Sequence, residues 1–315
     1  MGAAGGERFR DAAGGEPAVP GSYGEPPRGF RLPEAVRLGP VRLQVADLAR
    51  SLPFYESVLG LRLAARDAAE ARLAVPGDPA VLVELRERPG ARPVPPRGRL
   101  GLYHFAILLP DRPSLGRFVR HLGKTGVPWG AADHLVSEAL YLHDPDNLGI
   151  EVYADRPRTT WRRVGRELLM STEPLDLRDL LQAAGDGSWT GMPAGTRIGH
   201  VHLHVGGLGR AAEFYSEALG FDRTVWHYPG ALFFGAGGYH HHVGTNIWAG
   251  PAAAPPADDE ARLLEWTLEL PDREAVERAA RSLEGAGFPA DRQSSPPALV
   301  TRDPWGTPLR LRAAR

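Results

Sequence analysis

Residues 198 to 205 read Ile198-Gly199-His200-Val201-His202-Leu203-His204-Val205. Histidine alternates with aliphatic side chains. Read as a strand, the three imidazoles share one face and Val201, Leu203 and Val205 share the other. Imidazoles packed onto one strand face are costly to bury unless something uses them. These three are drawn from only 11 histidines in the chain. Imidazole is a common metal ligand and a proton carrier near neutral pH. The reading taken here is that one of the three, His202, holds a metal whose other ligands lie elsewhere in the chain.

Composition narrows what those ligands can be. The 315 residues are 43% hydrophobic and 24% charged, an ordinary globular balance long enough for two domains. There is no cysteine, which excludes disulfides, thiolate metal sites and a cysteine nucleophile. A metal here must be held by imidazole and carboxylate. A net charge of −1 gives no reason to expect nucleic acid or an anionic membrane as partner. No apolar run approaches the roughly 20 residues needed to span a bilayer. The first residues lack an apolar signal core, so a cytoplasmic location is expected. No Ser-His-Asp motif is found, and Gly235-Ala236-Gly237-Gly238 opens no helix, which argues against a phosphate loop.

The elements that position the histidines come from a repeat. Residues 1–35 are Gly- and Pro-rich without periodicity and are expected to be a disordered or loosely draped tail. Val41 to Val45 alternates as a strand, Asp47 can cap the helix from Leu48 to Leu59, and Gly60 stops it. Three strand patterns follow, ending at Leu85. This βαβββ pattern recurs from Leu102, from Ile198 and from Leu263. Phe54-Tyr55 is matched by Phe214-Tyr215, Leu109-Pro110-Asp111-Arg112 by Leu270-Pro271-Asp272-Arg273, and Asp144-Pro145 by Asp303-Pro304. Arg42 and His202 lie roughly 160 residues apart, as do Asp111 and Asp272, a regularity that signals repeated architecture. The expected division is a first module over 36–156, a linker over 157–196 and a second module over 197–315. The fold class is α+β: four βαβββ units forming two cup-shaped, eight-stranded mixed sheets with helices outside. A concave sheet face is a ready pocket.

Four such units resemble the vicinal oxygen chelate superfamily, the fold of glyoxalases and extradiol dioxygenases, over about residues 38–315. Gly101 to Pro110, Asp133 to Tyr141, Ile150 to Pro157, Thr159 to Trp161 and Gly238 to Trp248 are similar to bacterial ring-cleaving dioxygenases of the catechol-2,3-dioxygenase kind. The resemblance implies Fe(2+), or Mn(2+), held by two His and one Glu. One His comes from the first strand of one unit, and the other His and the Glu come from the first and last strands of its partner. The residues at the first-strand position are Arg42, His104, His202 and Glu265. At the last-strand position of units two and four they are Glu151 and Arg310. Neither sequential pairing gives a complete triad. Unit two paired with unit three gives His104, Glu151 and His202. The middle units are therefore expected to build the active cup, and units one and four a second, metal-free cup around Arg42 and Arg310.

A ring-cleaving site needs an acid–base group. The resemblance places it in Tyr239-His240-His241-His242. His242 is the first choice and His241 the second, on the reading that side chains alternate along a strand. Tyr141 is expected to hydrogen-bond the developing oxygen charge, with His134 as another pocket histidine. Asn246 and Trp248 are expected to line the pocket. His200 and His204 share the face of His202, as pocket groups or as alternative ligands if the register is off by two. The implied function is an extradiol dioxygenase that inserts O2 into a small aromatic diol, in the breakdown of aromatic compounds. The alternatives are a glyoxalase-type isomerase or lyase, a hydroquinone dioxygenase of the same fold, and a non-catalytic aromatic-binding or resistance protein. A homo-oligomer is compatible with the sequence.

Overall fold

The computed structural model describes residues 14–294 and 296–314. Residues 1–13 of the expected tail lie outside the described residues.

Each unit begins with a strand and an aspartate- or glycine-capped helix. Unit one runs from the strand Arg37–Val45 through the helix Leu48–Pro53, continued by Phe54–Val58, to strands Arg62–Arg66, Glu70–Ala74 and Val81–Glu87. Unit two has Gly101–Leu108, the helix Arg112–Thr125, then Gly130–Asp133, Ser137–His143 and Gly149–Asp155. Unit three has Arg197–His204, the helix Leu208–Ala211 continued by Ala212–Ala218, then Asp222–Val225, Ala231–Gly235 and Val243–Asn246. Unit four has Arg262–Leu270, the helix Arg273–Gly285, then Ala290–Ser294, Pro297–Arg302 and Pro308–Ala313. The expected cap forms at Asp47, which accepts from the amides of Ala49 and Arg50, and the structure adds caps at Asp111, which accepts from Ser114, and Asp272, which accepts from Ala275. These bonds satisfy amides that the helix itself leaves open.

The units pair across the chain. One eight-stranded sheet joins units two and three, and the other joins units one and four. This is the expected arrangement. In each sheet the two first strands meet antiparallel at the centre: Arg197–His204 beside Gly101–Leu108, and Arg262–Leu270 beside Arg37–Val45. Alternation sends Val41, Leu43, Phe105, Ile107, Val201, Leu203, Leu268 and Leu270 into one shared core, leaving the opposite faces to the cups. A repeated polar contact ties the halves of the repeat together. The Tyr55 hydroxyl donates to Asp144 at 3.0 Å, and Tyr215 donates to Asp303 at 2.9 Å.

The segments outside the repeats are more ordered than their composition suggests. From residue 14 the N-terminal stretch is docked: Glu16–Pro17 pairs with Arg162–Val164, which pairs with Glu167–Leu168. The Tyr23 hydroxyl donates to the Gly238 carbonyl at 2.6 Å. Arg31 grips Asp222 through two hydrogen bonds. Ala18, Tyr23, Trp161, Leu168 and Met170 form one cluster with Ala106, Tyr153 and Phe233 of the middle cup. The N-terminal stretch and the segment 157–196 therefore cover this cup. Among the described residues no helix is long and apolar enough to cross a membrane.

The cup of units one and four is filled by ion pairs. Arg310 binds Glu265 at 2.6 and 3.1 Å, and Arg42 pairs with Glu70 and Glu84. Near the seam, buried Glu260 accepts twice from Arg99, at 2.7 and 2.8 Å, and lies 3.2 Å from Arg92. The hydrogen bonds from Arg99 outweigh burial and lower its carboxyl to about 2. A carboxyl whose folded value is depressed adds stability that is full above the ordinary value of 4.5 and is lost as pH falls toward 2. Glu260→Gln is expected to cost about 1–3 kcal/mol at pH 7 and little near pH 2 to 3. Denaturant melts at the two pH values check this, and an equal gap at both would refute it.

Candidate metal centre and its pocket

Ala106 is the pivot of the site. Across the central seam it pairs with His200, and on its other side it pairs with Glu151. Directly paired residues put their side chains on one face, so His200 and Glu151 flank a methyl group. His104, two residues earlier on the same strand, joins them on that face. Glu151 Oε2 lies 3.0 Å from His104 Nε2 and 3.2 Å from His200 Nε2. One ligand atom from each of the three residues falls within 4.8 Å of the others, and all three residues are buried.

Two bulges set this register. Across the seam Ile198 pairs with Ile107 and His200 with Ala106, which leaves Gly199 as the extra residue. His202 pairs with His104 and Leu203 with Leu102, which leaves Tyr103 as the extra residue. A bulge re-aims the side chains around it. Gly199 has to lack a side chain, because a Cβ there would lie 1.8 Å from the Tyr153 hydroxyl. Tyr153 in turn lies against His200, with ring centroids 4.9 Å apart.

Of the three expected ligands, the structure brings His104 and Glu151 together and places His202 outside their cluster. His200, not His202, stands with them. The cause is register: His202 sits opposite His104, one pair further from Glu151. His202 still belongs to the pocket. Its ring centroid is 5.1 Å from that of His104, and Gly244 leaves room for it, since a Cβ there would come within 2.9 Å of the ring.

The electrostatics suit a cation. Burial would raise the Glu151 carboxyl, but the imidazoles of His200 and His104 outweigh it and hold it well below the usual carboxylate range. Burial lowers His104 and, more strongly, His202, keeping both neutral. His202 Nε2 is buried without a hydrogen-bond partner among the described residues. Such an orphaned nitrogen costs free energy unless a ligand uses it. Two imidazoles and a carboxylate on one face are the donor set of an open-sided divalent metal site, so the residues present fit the implied group.

Beside the ligands lies a cavity of about 300 Å³. Tyr103, Phe233, Met170, Tyr228 and Trp248 give it an apolar wall, and His104, His202, His134, Tyr141 and His241 give it polar points. Tyr141 hydrogen-bonds His134 Nε2 at 2.5 Å, and His134 Nδ1 lies 2.6 Å from the Ser171 carbonyl. A carbonyl only accepts, so Nδ1 carries the hydrogen and Nε2 of the neutral ring accepts from Tyr141. Burial and the charge of Glu151 push the Tyr141 hydroxyl well above its ordinary value, so it stays protonated. The Tyr141 proton is thus directed at His134.

Of the two histidines considered for acid–base work, it is the second choice, His241, that faces the cavity. Residues 239–242 form a loop and the strand starts only at Val243, so strand alternation does not apply. His241 lines the cavity and lies against His200, with ring centroids 4.1 Å apart. His242 turns away: its Nδ1 accepts from the Ala236 amide and its ring stacks on Phe221. Burial lowers His241 well below the usual histidine value and takes His242 to about 3.

Of the expected substrate contacts, Trp248 lines this cavity. His204 and Asn246 do not. They bond each other at 2.6 Å, and His204 faces a neighbouring cavity of about 310 Å³. The sequence reading passed over Tyr103, Met170, Thr172, Tyr228 and Phe233. Tyr103 lies in the Gly101 to Pro110 motif, and at its bulge its ring centroid is 4.9 Å from that of His104.

Comparison with known proteins bears on family and fold. The model of the glyoxalase/bleomycin resistance protein/dioxygenase superfamily matches residues 37–152 and 197–306. A protein of Bacillus subtilis (strain 168) named catechol-2,3-dioxygenase is 46% identical over 259 residues, covering 81% of this chain and 90% of its own. The crystal structure of a "putative dioxygenase" from Bacillus subtilis subsp. subtilis str. 168 superposes with a TM-score of 0.61 at 14% identity, over 90% of this chain and 86% of that one. Glyoxalase I from Zea mays gives 0.54 at 18% identity, over 88% and 92%. The two structural likenesses bear on fold alone.

Proposed function

The chain belongs to the glyoxalase/bleomycin resistance protein/dioxygenase superfamily, and from that premise we propose that it is an extradiol dioxygenase. It cleaves a catechol-type ring with O2 at a divalent metal, Fe(2+) or alternatively Mn(2+), held by His104, His200 and Glu151. The observation that carries the reading is the convergence of these three buried side chains beside an apolar cavity. The likeness to a catechol-2,3-dioxygenase over most of both chains supports the choice of reaction.

When bound, the metal supplies stabilisation of the two catecholate oxygens and activation of dioxygen. The chain's own groups do the rest. Tyr103, Phe233 and Trp248 clamp the ring and keep water out. One hydroxyl proton goes to His241, the histidine of this loop that faces the cavity. The second hydroxyl donates to the Tyr141 oxygen, whose own proton is directed at His134 Nε2. A proton held at His241 is available for return as the ring opens.

The test is direct. Protein purified without oxygen is analysed for metal and given catechol and air. About one iron or manganese per chain, dioxygen uptake and a yellow ring-fission product are expected. Metal binding with no dioxygen uptake on any diol tried would end the proposal and favour an isomerase or a binding protein.

A further inference from the structure

Two motifs that this chemistry leaves unused meet behind His241. Asp155 ends the strand that carries Glu151, and His240 precedes His241 in the loop. His240 is fully buried. Its Nε2 lies 2.9 Å from Asp155 Oδ1, and its Nδ1 lies 2.7 Å from His241 Nδ1. Asp155 is itself held by the Tyr239 hydroxyl at 3.2 Å, and that hydroxyl meets the Tyr153 hydroxyl at 2.6 Å.

The far end of this chain of bonds decides where each hydrogen sits. A carboxylate oxygen only accepts, so His240 Nε2 carries a hydrogen. With His240 as a neutral imidazole, whose single N–H then lies on Nε2, its Nδ1 is the acceptor. The hydrogen between the two rings therefore belongs to His241 Nδ1. His241 Nε2 keeps its lone pair, and His241 lines the cavity. We infer that Asp155, acting through His240, is a positioning residue that fixes His241 as its Nδ1–H tautomer and so offers a bare Nε2 to the substrate hydroxyl. The opposite tautomer would present an N–H to that hydroxyl and could not take its proton. The inference rests on the reading of His241 as the acid–base group, and its test does not need turnover.

Metal-free protein labelled with 15N-histidine is examined by long-range 1H–15N correlation, which tells the two tautomers of each ring apart. His241 is expected as Nδ1–H. In Asp155→Ala the anchor is gone and His241 is expected to populate both tautomers. Catechol kcat in the metal-loaded variant should fall roughly 10²-fold with KM changed little. Asp155→Asn, which can still turn an amide oxygen toward His240, should recover most of both readouts. His240→Gln places an amide oxygen opposite His241 Nδ1 without needing Asp155, so adding Asp155→Ala to it should cost nothing further, which guards against a variant that merely folds poorly. A wild-type His241 found as Nε2–H, or an unchanged tautomer in Asp155→Ala, overturns the inference. A wild type that turns over no diol counts against the dioxygenase reading and leaves the tautomer result standing.

Discussion

His200→Ala is expected to empty the metal site and abolish ring cleavage, whereas His202→Ala keeps the metal. His200 Nε2 is 3.2 Å from Glu151 Oε2 and belongs to the cluster with His104. Removing it leaves one imidazole and one carboxylate, too few to hold a divalent ion against water. A bound metal supplies several kcal/mol of charge stabilisation. At about 1.36 kcal/mol per factor of ten, its loss lowers kcat by on the order of 10³-fold or more. His202 packs against His104 and Phe233 at the cavity wall. Its removal should cost about tenfold in turnover, through looser placement of the ring, with metal content unchanged. Metal analysis of the two variants side by side reads the difference. Loss of metal from His202→Ala with retention in His200→Ala would return the third ligand to His202.

Ala106→Leu is expected to do by volume what His200→Ala does by chemistry. Ala106 is fully buried, and its two strand neighbours on that face are His200 and Glu151. Three more carbons there occupy the space in which the imidazole and the carboxylate meet. Overpacking of this kind costs about 1–3 kcal/mol, an amount a domain of this size survives. The variant should therefore fold, with a modestly lowered melting temperature, and bind metal at least tenfold more weakly. Ala106→Gly is the control, since it enlarges the space and should retain metal. Full metal occupancy in Ala106→Leu would show that the three side chains converge somewhere other than beside this methyl.

The pairing of units two with three could be read from the chain because residue types excluded the sequential pairings: unit one contains no histidine to join His104 and Glu151, and unit four carries Arg310 in place of the carboxylate. That argument concerns residue type at a repeat position, and type is what a sequence states. The choice between His200 and His202 could not be read in the same way. Both lie on one face of a regular strand, and only the register against Gly101–Leu108, set by bulges at Gly199 and Tyr103, decides which one approaches Glu151. Which of His241 and His242 faces the cavity could not be read for a related reason. Alternation holds within a strand, and the strand begins one residue after His242. Composition says little about how the segments flanking the repeats pack. Gly- and Pro-rich runs read as tail and linker, yet Tyr23, Trp161 and Met170 are buried against the middle cup, because a few apolar anchors suffice to dock a chain that has no periodicity.

The cross-chain pairing of the sheets also governs how the protein can be made. While only the first half has left the ribosome, Arg37–Val45 and Gly101–Leu108 each expose a backbone edge that strands from the later half must cover. A chain stopped near residue 186 would hold His104 and Glu151 but lack His200, and neither sheet would be complete. Two separately expressed fragments cut at that point should each be inert and regain a metal site only when mixed, as two interlocked halves that this polypeptide joins by a single covalent strap.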